Sequence, residues 1–457
     1  MKRIRIGAGA GFAGDRIDPA VELAEQGRLD FLVFECLAER TIALAQLRRK
    51  QDPEAGYDPL LIERMQAVLP ACRRSGARVI SNMGAANPKA AARETIAVAR
   101  RLGLKGLRVA YIEGDDILHL KDRFTAFDGQ PLPDPSTYIS ANAYLGADSV
   151  ADALDGGADV VLTGRVADPS LFLGALLHAF RWDRDCWQRL GQGIVIGHLL
   201  ECAGQLTGGY FADPGYKDVP DLDRLGFPLA DVAEDGSAIL SKLPGTGGVL
   251  DLRTCREQLL YEVFNPSLYV TPDVLADFTQ VHLDQLAPNA VEVHGGTGLP
   301  RPNDYKVSIG INEGVVAEGQ ISYGGPGALQ RAELARGILA KRLARSAASD
   351  LSFELIGLNA MHGAGSSAAQ PYEVRLRAVA RFEDRAAAGC LGREVESVFM
   401  STAQPQAPAS PTSSATTSPS VPRSSHATLS TQRSTSRRLD AASRTSPFPF
   451  RRPGKPD

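Results

Sequence analysis

The chain reads as an α/β protein: a mostly parallel sheet, Rossmann-like or alternatively (βα) barrel-like, then a smaller C-terminal α+β domain and a disordered tail. Three observations predict this. From Lys2 to Asp116, short apolar runs alternate with helix-periodic stretches in the order βαβαβαβ. Ser140 to Phe180 then runs helix, buried strand, polar turn and second apolar helix. At Ser401 the apolar periodicity stops, and Ser, Thr, Pro, Ala and Arg take over. The expected domains are therefore 1–285, 286–400 and 401–457.

The first strand, Lys2–Gly7, leads into Gly9, Gly11 and Gly14, which fit G-x-G-x-x-G, with Asp15 and Arg16 following. A helix with Pro19 in its first turn runs from Asp18 to Gln26. That start is a turn later than a pyrophosphate-binding helix requires. The bland alternative is a tight glycine turn that brings the backbone near a neighbour. Strand two is Asp30–Glu35, and Glu35 falls about 20 residues past the glycines, where a dinucleotide fold keeps its ribose acid.

Further helices begin near Leu37 and cover Asp58–Cys72. Strand three, Arg78–Ser81, ends in Asn82 and leads through Asn87 to a helix from Pro88 to Leu102. Strand four, Leu107–Ile112, ends in Glu113 and Asp115. Leu120–Tyr138 reads as an excursion and is followed by Asn142. After a helix at Ser149–Leu154, the strand Asp159–Thr163 delivers Thr163, Arg165 and Asp168 to the edge where α/β folds bind ligands. The competing structural reading is that Arg165 and Asp168 cap a helix and pair with each other.

Arg181–Gly193 reads as a polar connection, and a helix runs from about Ile194 to Leu206. His198 and Glu201 are three apart on it and share a face. They form either a satisfied hydrogen bond or a substrate-facing acid/base pair. With no third ligand in reach, no metal site is predicted. Gly247 and Gly248 belong to a glycine turn ahead of a T-x-x-E capping box, Thr254–Glu257, whose free N–H groups suit a phosphate or carboxylate. From Val291 the texture changes to strands. Tyr305–Asn312 and Val315–Ser322 read as a hairpin about Glu313-Gly314. A helix Ala328–Leu343, strands Phe353–Leu358 and Tyr372–Phe382, and a helix Glu383–Val398 complete the second domain.

A net charge of −3 with no basic helix argues against a nucleic-acid partner. No run of 18 apolar residues predicts a membrane span, and six singly scattered cysteines fit a reduced cytoplasmic setting. There is no G-x-S-x-G, P-loop or H-E-x-x-H, which disfavours serine hydrolysis, nucleotide hydrolysis and zinc peptidase work.

Several collinear stretches resemble the acyclic terpene utilisation family, AtuA. They are Gly9–Arg16 with DFLVFECLAERT at 30–41, SNMGAANP at 81–88, NAYLGA at 142–147, GADVVLTGRVADPSLFLG at 157–174, GHLLECAGQLTGG at 197–209, Thr246–Glu262 and DYKVSIG at 304–310. The resemblance covers roughly residues 4 to 400. It implies a place in the breakdown of acyclic terpenes such as citronellol and geraniol, which passes through acyl-CoA thioesters. It implies a pathway setting more firmly than a reaction. Relatives resembling this chain continue past Val395–Met400 with a Gly-rich stretch, whereas Ser401 onward is unrelated low complexity, and we read that ending as the product of a reading-frame change.

The expected function is binding of a small carboxylate or acyl-CoA at the strand-end loops, with acid/base chemistry of the lyase or hydratase type. Asp15, Asp168, His198 and Glu201 are the expected proton carriers. Gly9, Gly11, Gly14, Arg16, Glu35, Asn82, Asn87, Asn142, Thr163, Arg165, Gly247 and Gly248 are the expected ligand contacts. Arg165 suits a carboxylate because its fork binds two oxygens. An NAD(P)-dependent oxidoreductase and a non-catalytic binder of acyl-CoA or a pathway protein are the alternatives. No cofactor is assigned, and the chain is open to self-association.

Overall fold

The computed structural model describes residues 1–126, 131–361, 363 and 371–401. Beyond them it describes the backbone of strands Ser418–Pro419, Ser424–Ser430, Ser436–Asp440 and Thr445–Pro447. The rest of the expected disordered tail lies outside the described residues. Two compact units result: Met1–Gly310 with Ser424–Asp457, and Ile311–Arg423.

The first unit opens with β1 (Arg3–Ala10), α1 (Asp18–Gln26), β2 (Phe31–Phe34), α2 (Glu39–Gln51), α3 (Leu61–Ser75), β3 (Arg78–Ser81), α4 (Pro88–Arg101) and β4 (Arg108–Ile112). An excursion with β5 (Thr125–Ala126) leads to β6 (Tyr138–Ala143), a strand hidden in the sequence by its polar Ser and Asn. Then come α5 (Asp148–Asp155), β7 (Val160–Thr163), α6 (Asp168–Phe180) and α7 (Trp187–Glu201). The last helix starts earlier than Ile194. Gly191 and Gly193 lower the helical signal there, yet α7 packs tightly enough that a Cβ at Gly191 would strike the Thr297 carbonyl.

The parallel strands lie in the order β1-β2-β3-β7-β4. α1, α3 and α4 contact one another in sequence, as α5, α6 and α7 do. Right-handed crossovers then put these two sets on opposite faces. β3 sends its chain to α4 and its neighbour β7 sends its chain to α6. The strand order therefore reverses between them, which opens a crevice at their carboxyl ends. The register makes the rim level, because Ala10, Phe34, Ser81, Leu162 and Tyr111 stand in one row.

Antiparallel strands extend the β1 side. β8 (Pro228–Ala233) pairs with β1 and β9 (Ala238–Lys242) with β8. After α8 (Leu252–Leu260), a small sheet forms from β10 (Tyr269–Val270), β11 (Leu275–Asp277) and β14 (Thr297–Leu299). Between these last two, β12 (His282–Ala287) and β13 (Ala290–His294) complete the main sheet, which carries the first unit past residue 285. The α8 cap differs from the expected T-x-x-E. Asp251 accepts from Arg253 N at 2.8 Å and Thr254 N at 3.3 Å, while Thr254 Oγ1 accepts from Asp251 N. The helix thus begins earlier, because Asp at the cap meets more of the free N–H groups.

β15 (Asp304–Ile311) and β16 (Val315–Gly324) belong to different sheets and are not the expected hairpin. In the second unit β16 pairs with β18 (Glu373–Phe382), which also pairs with β17 (Ser349–Ile356). α9 (Ala328–Leu343) and α10 (Arg385–Ser401) bury Ala332, Leu339, Leu391 and Val395 against Ala317, Leu376 and Ala378 of that sheet. The tail strands add to edges: β19 (Ser418–Pro419) pairs with β16, β20 (Ser424–Ser430) with β15, and β21 (Ser436–Asp440) with β4, while β22 (Thr445–Pro447) pairs with β21. Among the described residues no helix is long and apolar enough to cross a membrane.

Replacing the Asp251 cap by alanine is expected to lower stability by about 1 kcal/mol. Urea denaturation against the wild-type chain measures this, and an unchanged midpoint contradicts the capping geometry.

Candidate functional site

Where β2 leaves the sheet, Glu35 turns inward and is buried. Its Oε1 accepts from Leu37 N and from Asn82 Nδ2, both at 2.8 Å, while Asn82 Oδ1 accepts from Cys36 N at 2.7 Å. Asn82 follows β3 directly, so one amide ties two neighbouring strand ends together. Burial first, and the nearby Asp168 carboxylate second, push Glu35 up to about 8. At neutral pH this side chain mostly carries its proton.

Across the crevice, the turn after β7 holds Arg165, whose side chain is 1 % exposed. Its Nη1 donates to Asp168 Oδ1 at 2.5 Å and to the Val166 carbonyl at 3.0 Å. Its Nη2 lies 3.7 Å from Glu39 Oε1, and its guanidinium sits 4.1 Å from the Tyr144 ring centroid. Tyr144 Oη donates to Glu39. Burial opposes charge on Arg165, but Asp168, Tyr144 and Glu39 outweigh it and hold the guanidinium well above its ordinary value. Burial also raises Glu39, yet Arg165 and the Tyr144 hydroxyl bring it down to about 2. Among the described residues, Arg165 Nε is buried without a hydrogen-bond partner. Behind the turn, Asp115 Oδ2 accepts from Arg165 N at 2.9 Å and Asn142 Nδ2 at 2.8 Å. A cleft of about 370 Å³ opens beside Asp115 and Asn142. Thr163 is buried and spends its hydroxyl on the Gly164 carbonyl.

The third contributor is the end of α7. His198 Nδ1 lies 2.9 Å from Glu201 Oε1, and the ring packs against the stacked pair Tyr269 and Phe278 at centroid distances of 5.3 and 5.4 Å. Burial takes His198 down to about 4. Burial, with Asp168 and Glu262 adding to it, drives Glu201 well up. His198 is therefore uncharged at neutral pH, and burial works against the charge on Glu201. The backbone of Gln258 and Leu259 approaches the His198 ring, whereas among the described residues Glu201 Oε2 is buried with no hydrogen-bond partner, an arrangement that is costly unless a ligand meets it. Glu35 and Glu201 each feel the Asp168 carboxylate, so three strand-end and helix-end segments converge on one rim.

The glycine loop lies on the same rim but is committed to packing. Gly9 is inside β1, with the Phe34 ring filling the space of a Cβ, and a Cβ on Gly11 would collide with the Cys202 carbonyl. Asp15 accepts from Gly11 N and Arg16 N, both at 2.9 Å, and burial raises its pKa. Gly14 stands against Phe12. Arg16 donates to the Asp223 and Leu225 carbonyls. Asn87 caps α4 through Ala90 N and holds the Pro53 and Ala55 carbonyls. The N–H groups of Gly247 and Gly248 go to the Arg224 and Pro220 carbonyls.

The cluster also contains residues that the motif spacing passed over: Glu39, Tyr144, Glu262, Tyr269 and Lys306. Tyr144 and Lys306 lie in NAYLGA and DYKVSIG, but neither position shows a periodic or metal-type pattern. A second omission is Arg64 on α3, whose side chain is fully buried. Its Nη2 donates to the Ala13 and Asp15 carbonyls at 3.1 and 3.0 Å, and it pairs with Asp58 at 3.6 Å. Arg64 thereby shapes the glycine loop. Among the described residues no group of three or more His, Cys, Asp or Glu is arranged to hold a metal ion.

Among family models, the one described as acyclic terpene utilisation family protein AtuA matches residues 4–437. The match runs on past Ser401, where the sequence resemblance ended. No curated protein and no solved structure gives a significant match.

Arg64→Ala leaves Asp58 buried without its cation and is expected to cost about 3–5 kcal/mol, read by chemical denaturation. A separate outcome concerns pH. The folded value of Glu35, about 8, lies above the ordinary 4.5, so its protonation stabilises the fold fully below that ordinary value and is lost as pH rises through 8. Glu35→Gln should therefore gain stability relative to wild type between pH 5 and about 8. Parallel melting curves across that range would contradict a buried, proton-holding Glu35.

Proposed function

The chain belongs to the acyclic terpene utilisation family, and from that premise we propose that its rim binds a carboxylate or acyl-CoA of acyclic terpene breakdown and moves a proton on it. One observation carries the reading. Glu35 and Glu201, from two separate segments, are buried together with His198, and both feel the Asp168 carboxylate supplied by a third segment. Keeping several carboxyls together costs stability, so such clusters mark places where proton affinity is tuned for chemistry.

The environments separate the roles. Glu35, at about 8, is matched to proton transfer near neutral pH in either direction. Asp168 is ion-paired to Arg165 and offers a carboxylate as base. The hydrogen-bonded His198–Glu201 pair supplies a second proton relay through the open Glu201 Oε2. Such a set suits removal of a proton beside a thioester carbonyl, or addition and loss of water across the adjacent double bond. Arg165 orders the carboxylates around it. The dinucleotide alternative has less to draw on: the Glu35 carboxyl faces Asn82 and Leu37 N, and the Gly11 N–H is taken by Asp15.

Incubation with citronellyl-CoA in D₂O, followed by mass spectrometry, tests this. Deuterium should enter the acyl chain or water should add to it, and Glu35→Gln should slow the process by about 10²-fold or more. Tight binding with neither outcome would favour a carrier or scaffold instead.

A further inference from the structure

Two cations share the Tyr144 ring. Arg165 is 4.1 Å from its centroid, and Lys306 Nζ is 4.6 Å from it. The placement of Lys306 is firm. Tyr144 N donates to the Lys306 carbonyl at 2.9 Å, and Ser308, two residues along the same face of β15, donates from Oγ to Tyr144 Oη at 3.1 Å. The two cations differ in their partners. Arg165 is already met by Asp168 and Glu39. Among the described residues, no ion pair or hydrogen bond reaches Lys306 Nζ. An ammonium half out of water, beside a second cation and resting only on an aromatic face, is under-compensated. Burial lowers its pKa, and Glu39, Asp168 and Glu262 act against that without restoring the ordinary value. An anionic group arriving at the ring edge would complete its coordination.

We propose that Lys306, rather than Arg165, anchors the free carboxylate of the ligand bound at this rim. The assignment rests on the rim being the ligand site proposed above. It makes the preferred ligand an acid, or an acyl-CoA that keeps a second carboxylate, in place of a terpene alcohol or aldehyde. A bare ammonium carries one charge without the planar fork, so it tolerates several carboxylate orientations while the neighbouring carboxyls act.

Calorimetric titration of the full chain with citronellate and citronellol isolates the contribution, since the two share a skeleton and differ at the carboxylate. Wild type should bind citronellate at least tenfold more tightly. Lys306→Met should bring the ratio close to one with an unchanged melting temperature, and Lys306→Arg should keep most of the preference. Lys306→Gln serves if the methionine variant does not fold. A preserved ratio in the neutral variant overturns the assignment, as does wild type that binds both compounds alike or neither. This measurement reads binding alone. Absence of deuterium exchange would defeat the acid/base reading and leave this one standing.

Discussion

A guanidinium removed from water must be met by anions and hydrogen-bond acceptors, and the rim is arranged around that demand. Arg165 is met by Asp168 from its own helix start, by Glu39 from the start of α2 and by the face of Tyr144. Its backbone N–H is held by Asp115 at the end of β4. Leaving any of these groups unpaired in a buried setting costs several kcal/mol. The ends of β4 and β7, the start of α2 and the segment after β6 are consequently fixed relative to one another by a single residue, through its backbone and its side chain.

The same burial sets the proton inventory. Carboxyls outnumber cations in the cluster, and an interior cannot hold every one of them ionised. Glu39 keeps its charge because Arg165 and a phenolic hydroxyl attend it, whereas Glu35 holds its proton at neutral pH and burial drives Glu201 the same way. Two similar side chains thus take opposite states a short distance apart. That difference, more than any motif, gives the site its capacity for acid/base work.

Much of the architecture was legible along the chain. The alternation of apolar runs and helix periods located β1 to β4, α1, α4 and α6 closely, because those elements are specified by local periodicity. Elements whose identity depends on partners were harder to see. β6 carries Ser and Asn because its polar side chains face Asp115 and the rim, and β8 and β9 become strands by adding to the edge of β1. The G-x-G-x-x-G spacing was real as a sequence feature, but its meaning lay elsewhere. Gly9 gives way to Phe34 and Gly11 to the Cys202 backbone, which are contacts between residues far apart in sequence.

The sequence by itself determined the alternating α/β order, the strand ends at which polar residues collect, and the shared face of His198 and Glu201. It did so because each follows from spacing within a few residues. Only the tertiary structure decided that Glu35 faces Asn82 and Asp168 instead of solvent, that Arg165 is already neutralised, and that Lys306 is not. Proton affinity and ion pairing depend on which charges lie within a few ångströms after the chain has folded, and that distance is not encoded in any local pattern.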